Sequence, residues 1–197
     1  EIAQCLVGSE MCIETGAREI GLVEALEKGN YNYLDRSKMS PRESLMAAYD
    51  ADIFLSSANA VTNDGILINI DGNSNRVSCI AQGPRKVVFI VGINKVCSDL
   101  DSAMKRARNV AAPVNAQRFD LNIPCRETGK CFDCKSMDTI CCQFLITRFS
   151  RHTDRIHVIL VNDTLDIDLT TTRSRKISNE KLIFRLLVVF KSISKLS

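Results

Sequence analysis

The chain has 197 residues, 45% of them hydrophobic and 25% charged, with a formal net charge of +3. That length suits one domain with a sizeable core, and the absence of any uncharged apolar run of about 18 residues excludes an integral membrane segment. The charge is uneven: seven basic residues face Glu180 alone within 173–197, so the rest of the chain is net acidic and a nucleic-acid surface on the body is not expected.

In chain order, residues 2–7 form a short apolar run ending at Gly8, followed by a loop and a helix over 17–28 that Gly29 and Asn30 close. The chain opens on Glu1 rather than methionine and enters this strand at once, so the N-terminus is expected to be cut. No basic region leads into a long apolar run there, which predicts a soluble, cytoplasmic protein. Residues 31–34 suggest a second strand. Ser40, Pro41 and Glu43 then supply a capping serine, a first-turn proline and an acid for a helix to about Tyr49.

A strand over 51–56 precedes the turn-rich stretch 59–65. Residues 66–70 alternate into Asp71-Gly72-Asn73, which predicts a hairpin with 77–81 as the returning strand. The uninterrupted apolar run 86–91 has the character of a strand buried on both faces. A helix over 99–111 should turn Leu100, Ala103, Met104, Ala107 and Val110 inward, and strands over 143–149 and 155–161 follow, joined by a polar turn. Strands alternating with helices predict an α/β fold: a Rossmann-like open, mostly parallel sheet with flanking helices and a small antiparallel strand region. The domain is expected over 1–165, with 166–197 a basic extension whose apolar stretch 182–193 suits a docking helix or a non-native extension better than a membrane-surface helix.

Polar groups collect in three places. Ser9 and Thr15 in the first loop can cap a helix or hold an anion. Asn59, Thr62, Asn63, Asp64 and Gly65 form either a turn or a site at the end of a strand. Asp64 is the candidate general base there, on the argument that burial beside an amide-rich loop raises a lone carboxylate. In the third cluster, a hairpin turn accounts for Asn69, Asp71, Gly72 and Asn73, but Asn75 and Arg76 fit it less well. Arg76 can pair a carboxylate or phosphate through two parallel donors.

Nine cysteines stand against two histidines, His152 and His157, which makes Cys-His or Ser-His nucleophilic catalysis unfavoured. Five of the nine fall within 125–142, as Cys125-x5-Cys131-x2-Cys134-x6-Cys141-Cys142. In a chain without a secretion signal such crowding favours a metal over a disulfide framework. Cys125, Cys131, Cys134 and one of Cys141 and Cys142 supply four thiolates, which suit tetrahedral zinc or an iron-sulfur cluster. A redox pair at Cys131 and Cys134, with Cys141 and Cys142 merely starting a strand, is the competing reading. Cys5, Cys79 and Cys97 are expected to be small core residues.

Residues 52–77, Gly83-Pro84-Arg85-Lys86, the stretch 19–30 and Pro124-Cys125-x-x-Thr128-Gly129-x-Cys131-x-Asp133-Cys134 together resemble the lactate-utilization (LUD) domain family, over about residues 7–165. The resemblance implies the scaffold shared by glucosamine-phosphate deaminase, ribose-phosphate isomerase and CoA transferases, a role in oxidising lactate or a similar hydroxy acid, and Cys141 rather than Cys142 as fourth ligand. Two readings follow. One is an enzyme or enzyme subunit of hydroxy-acid utilization, working with a redox partner subunit or as a homo-oligomer. The other is a non-catalytic module that binds a small anionic metabolite and uses its cysteines for a structural metal.

Overall fold

The computed structural model describes residues 20–35 and 38–165, and residues 4–7 by their backbone. Its elements run β1 (Gln4–Val7), α1 (Leu22–Lys28), β2 (Asn32–Leu34), α2 (Pro41–Asp50), β3 (Ile53–Ser56), β4 (Ala60–Thr62), β5 (Leu67–Asp71), α3 (Asn75–Ala81), β6 (Lys86–Gly92), β7 (Val96–Cys97) and α4 (Leu100–Arg106). A π-helical turn, Ala107–Ala111, leads from α4 into α5 (Ala112–Ala116), and α6 (Pro124–Thr128), β8 (Gln143–Thr147) and β9 (Ile156–Val161) complete the series.

Five strands make an open, all-parallel sheet in the order β2-β1-β3-β6-β9, and four make a mixed sheet in the order β7-β4-β5-β8. The parallel sheet alternates strands with helices, as the sequence pattern requires. The central strand β6 is buried along most of its length, which is why it reads as one apolar run. The main core joins the two sheets: Phe54, Val87, Phe89 and Val91 from the first meet Val61 and Leu67 from the second, with Ile80 of α3 packed between. On the far side of the mixed sheet, Ile68 and Ile70 pack against Ala103 of α4 and Ala107 of the π-helical turn that follows it.

Helix α2 starts where its sequence says it should. Ser40 Oγ accepts from Glu43 N at 3.3 Å and Glu43 Oε2 accepts from Ser40 N at 2.9 Å, a complete capping box with Pro41 in the first turn.

Two expectations fail for identifiable reasons. Residues 77–81 are not the returning strand of a hairpin but lie in α3. The buried positions there are Arg76, Val77, Cys79 and Ile80, a helical spacing, and the Asp71 carboxylate nucleates the helix rather than a turn. The antiparallel partners of β5 are β4 and β8 instead.

The second failure concerns the helix over 99–111. Leu100 is 39% and Val110 is 46% exposed, and the buried stripe runs Ala103, Ala107, Ala112, Ala116. The step from Ala107 to Ala112 is one residue too long for an α-helix. The Ala112 N–H reaches back to Ala107 O, five residues away, widening the turn. Pro113 explains the defect, since a proline ring cannot fit against the carbonyl four residues earlier in a regular helix. The two late strands, though close in sequence, lie in different sheets, β8 on β5 and β9 on β6.

Candidate functional site

The carboxyl ends of β3 and β6 lie side by side, and the chain leaves both in polar loops. In an open parallel sheet this edge is the ordinary place for a ligand. After β3 come Ser57, Ala58 and Asn59, all buried; after β6 a single 3₁₀ turn, Ile93–Lys95, carries a buried lysine. Lys95 Nζ donates to Ser57 Oγ at 2.9 Å. Arg76, only 2% exposed, donates from Nη1 to Ser57 O at 2.9 Å and to Asn69 Oδ1 at 2.8 Å, and from Nη2 to Ile70 O at 2.8 Å and Asn59 Oδ1 at 3.2 Å. Arg106 of α4 joins from the other side, donating to Asn94 O at 3.0 Å and also to Asn59 O. Three cations therefore surround one short loop.

Beside them Asp71 organises the start of α3. Its Oδ1 accepts from Asn73 N and Ser74 N at 3.0 and 3.1 Å, and its Oδ2 from Arg76 N and Val77 N at 3.0 and 3.1 Å. Two first-turn donors that a helix start leaves unpaired, and two from the turn leading into it, are thus satisfied by one carboxylate. Ser74, at φ 63°, makes the bend that brings those donors round.

Of the residues singled out from sequence, the structure brings together Asn59 and Arg76, with Asn75 accepting from Arg76 N through its side-chain oxygen. Thr62, Asn63, Asp64 and Gly65 stand apart from them on the hairpin turn between β4 and β5, closed by Thr62 N donating to Ile66 O at 2.9 Å, with Gly65 at φ 92°. Asp64 is exposed and receives the Thr62 hydroxyl, so it lacks the burial on which its candidacy as a base depended. Ser9 and Thr15, the first loop with Cys12, and the extension 166–197 lie outside the described residues. Ser57, Lys95 and Arg106 were not legible as site residues: each is a common polar residue in a segment whose only sequence signal was the strand or helix beside it.

The cysteine segment is built differently. Between α5 and β8 the only regular element is the short helix α6, ended by Gly129 at φ 69°. Cys125 is buried against Ala116 and Ile123, with Cys134 and Ile140 packed on it. Cys131 accepts from Arg108 Nη2 at 3.7 Å, and the same nitrogen pairs with Asp133 Oδ1 at 2.6 Å. Thr139 Oγ1 lies 3.6 Å from Cys134 Sγ and accepts from Cys141 N at 3.3 Å.

The thiols feel one another. Burial pushes Cys141 up to about 12, and the neighbouring Cys125, Cys131, Cys134 and Cys142 push the same way. Cys125 is raised too, by burial first and then by Cys134 and Cys131. The four named thiols thus share one neighbourhood. Among the described residues, however, no three His, Cys, Asp or Glu side chains are drawn together closely enough to grip a metal ion.

The LUD domain family model matches residues 4–161, most of the chain. This protein belongs to the LUD domain family. Among solved structures the LUD domain is similar to a DUF162 family protein from Deinococcus radiodurans, solved at 1.70 Å, with 12% identity, 80% of this chain and 87% of that one covered, and a TM-score of 0.38. No curated protein matches it. Among the described residues no helix of this LUD domain is long and apolar enough to cross a membrane.

Proposed function

We propose that this LUD-domain protein holds a zinc ion or an iron-sulfur cluster on Cys125, Cys131, Cys134 and Cys141 and acts as an enzyme or enzyme subunit in lactate or hydroxy-acid utilization. The observation that carries the reading is that these four cysteines come from one short segment, in which Cys134 packs on the cluster of Cys125 and the cation of Arg108 lies against Cys131. The donor set fits: four soft sulfur ligands, a cysteine pair two residues apart, and a glycine that frees the backbone between the first two. When bound, zinc would supply a structural cross-link and a cluster one-electron transfer. The chain's own part is to neutralise a thiolate with Arg108 and to hold the 134–141 loop through Thr139.

Metal analysis of anaerobically purified protein tests this. About one zinc, or a brown chromophore with iron and sulfide, is expected per chain. Occupancy below about a tenth would end the proposal.

A second reading rests on a different observation: Arg76 and Lys95, both buried, meet on Ser57 at the carboxyl edge of the sheet. Although their hydrogen bonds are spent within the protein, the summed positive field of these cations at the strand ends favours a small anionic metabolite there, with the thiols then purely structural. A thermal-shift screen with lactate, sugar phosphates and CoA esters, each hit assayed for turnover, separates the two. Binding with turnover supports the enzyme, and binding without it the module.

A further inference from the structure

A cavity of about 290 Å³ lies where the connection from β5 into α3 meets the loop that carries the cysteines. Asp71, Asn73, Asn75 and Arg76 form one wall, Phe119 and Leu121 a second, and Met137, Asp138, Thr139 and Ile140 the third. The walls touch at Gly72, where an added Cβ would sit 3.3 Å from the Ile140 Cα.

The charged groups here are already engaged within the protein. Arg76 places four hydrogen bonds from its Nη atoms on Ser57, Asn59, Asn69 and Ile70, and both Asp71 oxygens are filled by backbone donors. Asp138 Oδ2 accepts from Asn122 N at 3.1 Å. An ionic ligand would have to compete with these bonds.

The groups left are neutral or one-sided. Asn75 uses its oxygen on Arg76 N and keeps its NH₂ as a donor. Asn73 is exposed and brings both a donor and an acceptor. Thr139 Oγ1 already accepts from Cys141 N, with Cys134 Sγ beside it, which leaves its own proton for a further acceptor. Phe119, Leu121, Met137 and Ile140 supply a soft apolar face, and Met137 is fully exposed and free to fold over a guest.

We propose that this cavity binds a small, uncharged, planar nitrogen heterocycle of nucleobase size. Its ring would lie against Phe119 and Met137, and its alternating donor and acceptor edge would meet Asn73, Asn75 and Thr139. The volume sits at the small end of ligand pockets, which run from about 300 Å³ upward, and suits one fused ring system rather than a whole dinucleotide.

The test uses the full chain as purified, with adenine as probe and lactate as an anionic control, read by saturation-transfer NMR. Transfer to the adenine ring protons is expected, and Asn73→Ala and Phe119→Ala should each weaken binding by about tenfold. Both positions are outside the main core, and far-UV circular dichroism establishes that each variant is folded. Absence of transfer at about millimolar adenine, binding unchanged in both folded variants, or displacement of adenine by lactate each overturns the proposal. The cavity wall 137–140 lies between Cys134 and Cys141, so the measurement is repeated after chelator treatment: adenine transfer in metal-free protein upholds this proposal whatever becomes of the thiol reading.

Discussion

The Arg76 cluster and the cysteine segment are neighbours in space and opposites in construction. Around Arg76, buried charge is matched by named oxygens: four accept from the guanidinium, and Asp71 meets four backbone N–H groups in turn. Along 125–142 the thiol contacts are long sulfur interactions of 3.5–3.7 Å, and burial makes ionisation of Cys141 and Cys125 harder. A cluster complete within itself holds the fold together. A cluster whose best donors remain weakly used is where an outside partner gains most.

Replacing Arg76 is the strongest way to break the first half of that contrast. Arg76→Met takes the guanidinium from four buried oxygens, of which Asn59 Oδ1 keeps Ile70 N and Ser57 O keeps the Ser56 hydroxyl, and should cost about 3–5 kcal/mol in urea unfolding. If the loss were under about 1 kcal/mol, the cluster would not be the staple its geometry suggests.

The second half is probed by pH. In the metal-free chain Cys141 stays protonated up to about 12 while the unfolded thiol ionises near its ordinary value of about 9. Between those values the unfolded state binds fewer protons, so stability is full below pH 9 and falls as pH rises towards 12. Cys125, also raised, adds to the slope. Denaturation midpoints measured at successive pH values should show the fall, and Cys141→Ala should flatten it.

A smaller effect sharpens the contrast from the thiol side. Arg108→Ala should leave the fold nearly as stable, because its pairing with Asp133 is largely solvent-exposed, but lower metal or cluster retention by about tenfold in a chelator competition. The smallest effect is expected on the hairpin turn. Asp64→Asn should shift stability by no more than about 0.5 kcal/mol, and turnover of any substrate found should be unchanged. A large loss of activity with stability intact would return Asp64 to the site.

The parallel sheet was legible from the apolar runs of β3, β6 and β9 and from the helices α1 and α2 set between its first three strands, and the Ser40 box and the 86–91 run needed no tertiary information. The hairpin over 66–81 was misread because Asp71-Gly72-Asn73 suits a tight turn as well as a helix start. What decided between them was the reach of the Asp71 carboxylate to Val77 N, six residues on. Strand β4 was hidden in a stretch rich in turn residues, since its three residues are ordered by β5 and β7 rather than by their own pattern. Arg76 was legible as an oddity in a turn, though not as a buried staple. Lys95 and Arg106 could not be read at all, because their meeting with Ser57 and Asn59 joins positions 38 and 47 residues apart.

The widened turn at Ala107–Ala111 behaves as a one-residue insertion accommodated without a loop. Everything after it is rotated by about 100° about the helix axis relative to an uninterrupted α-helix, so Ala112 and Ala116 still find the interior. The turn also carries Arg108, the residue that reaches Cys131. Deleting one residue here would regularise the helix with its alanine stripe still in register, whereas straightening it at its present length would turn Ala112 and Ala116 away from the interior. The irregularity is therefore a fixed reading-frame shift, through which one helix serves the mixed sheet at its beginning and the cysteine segment at its end.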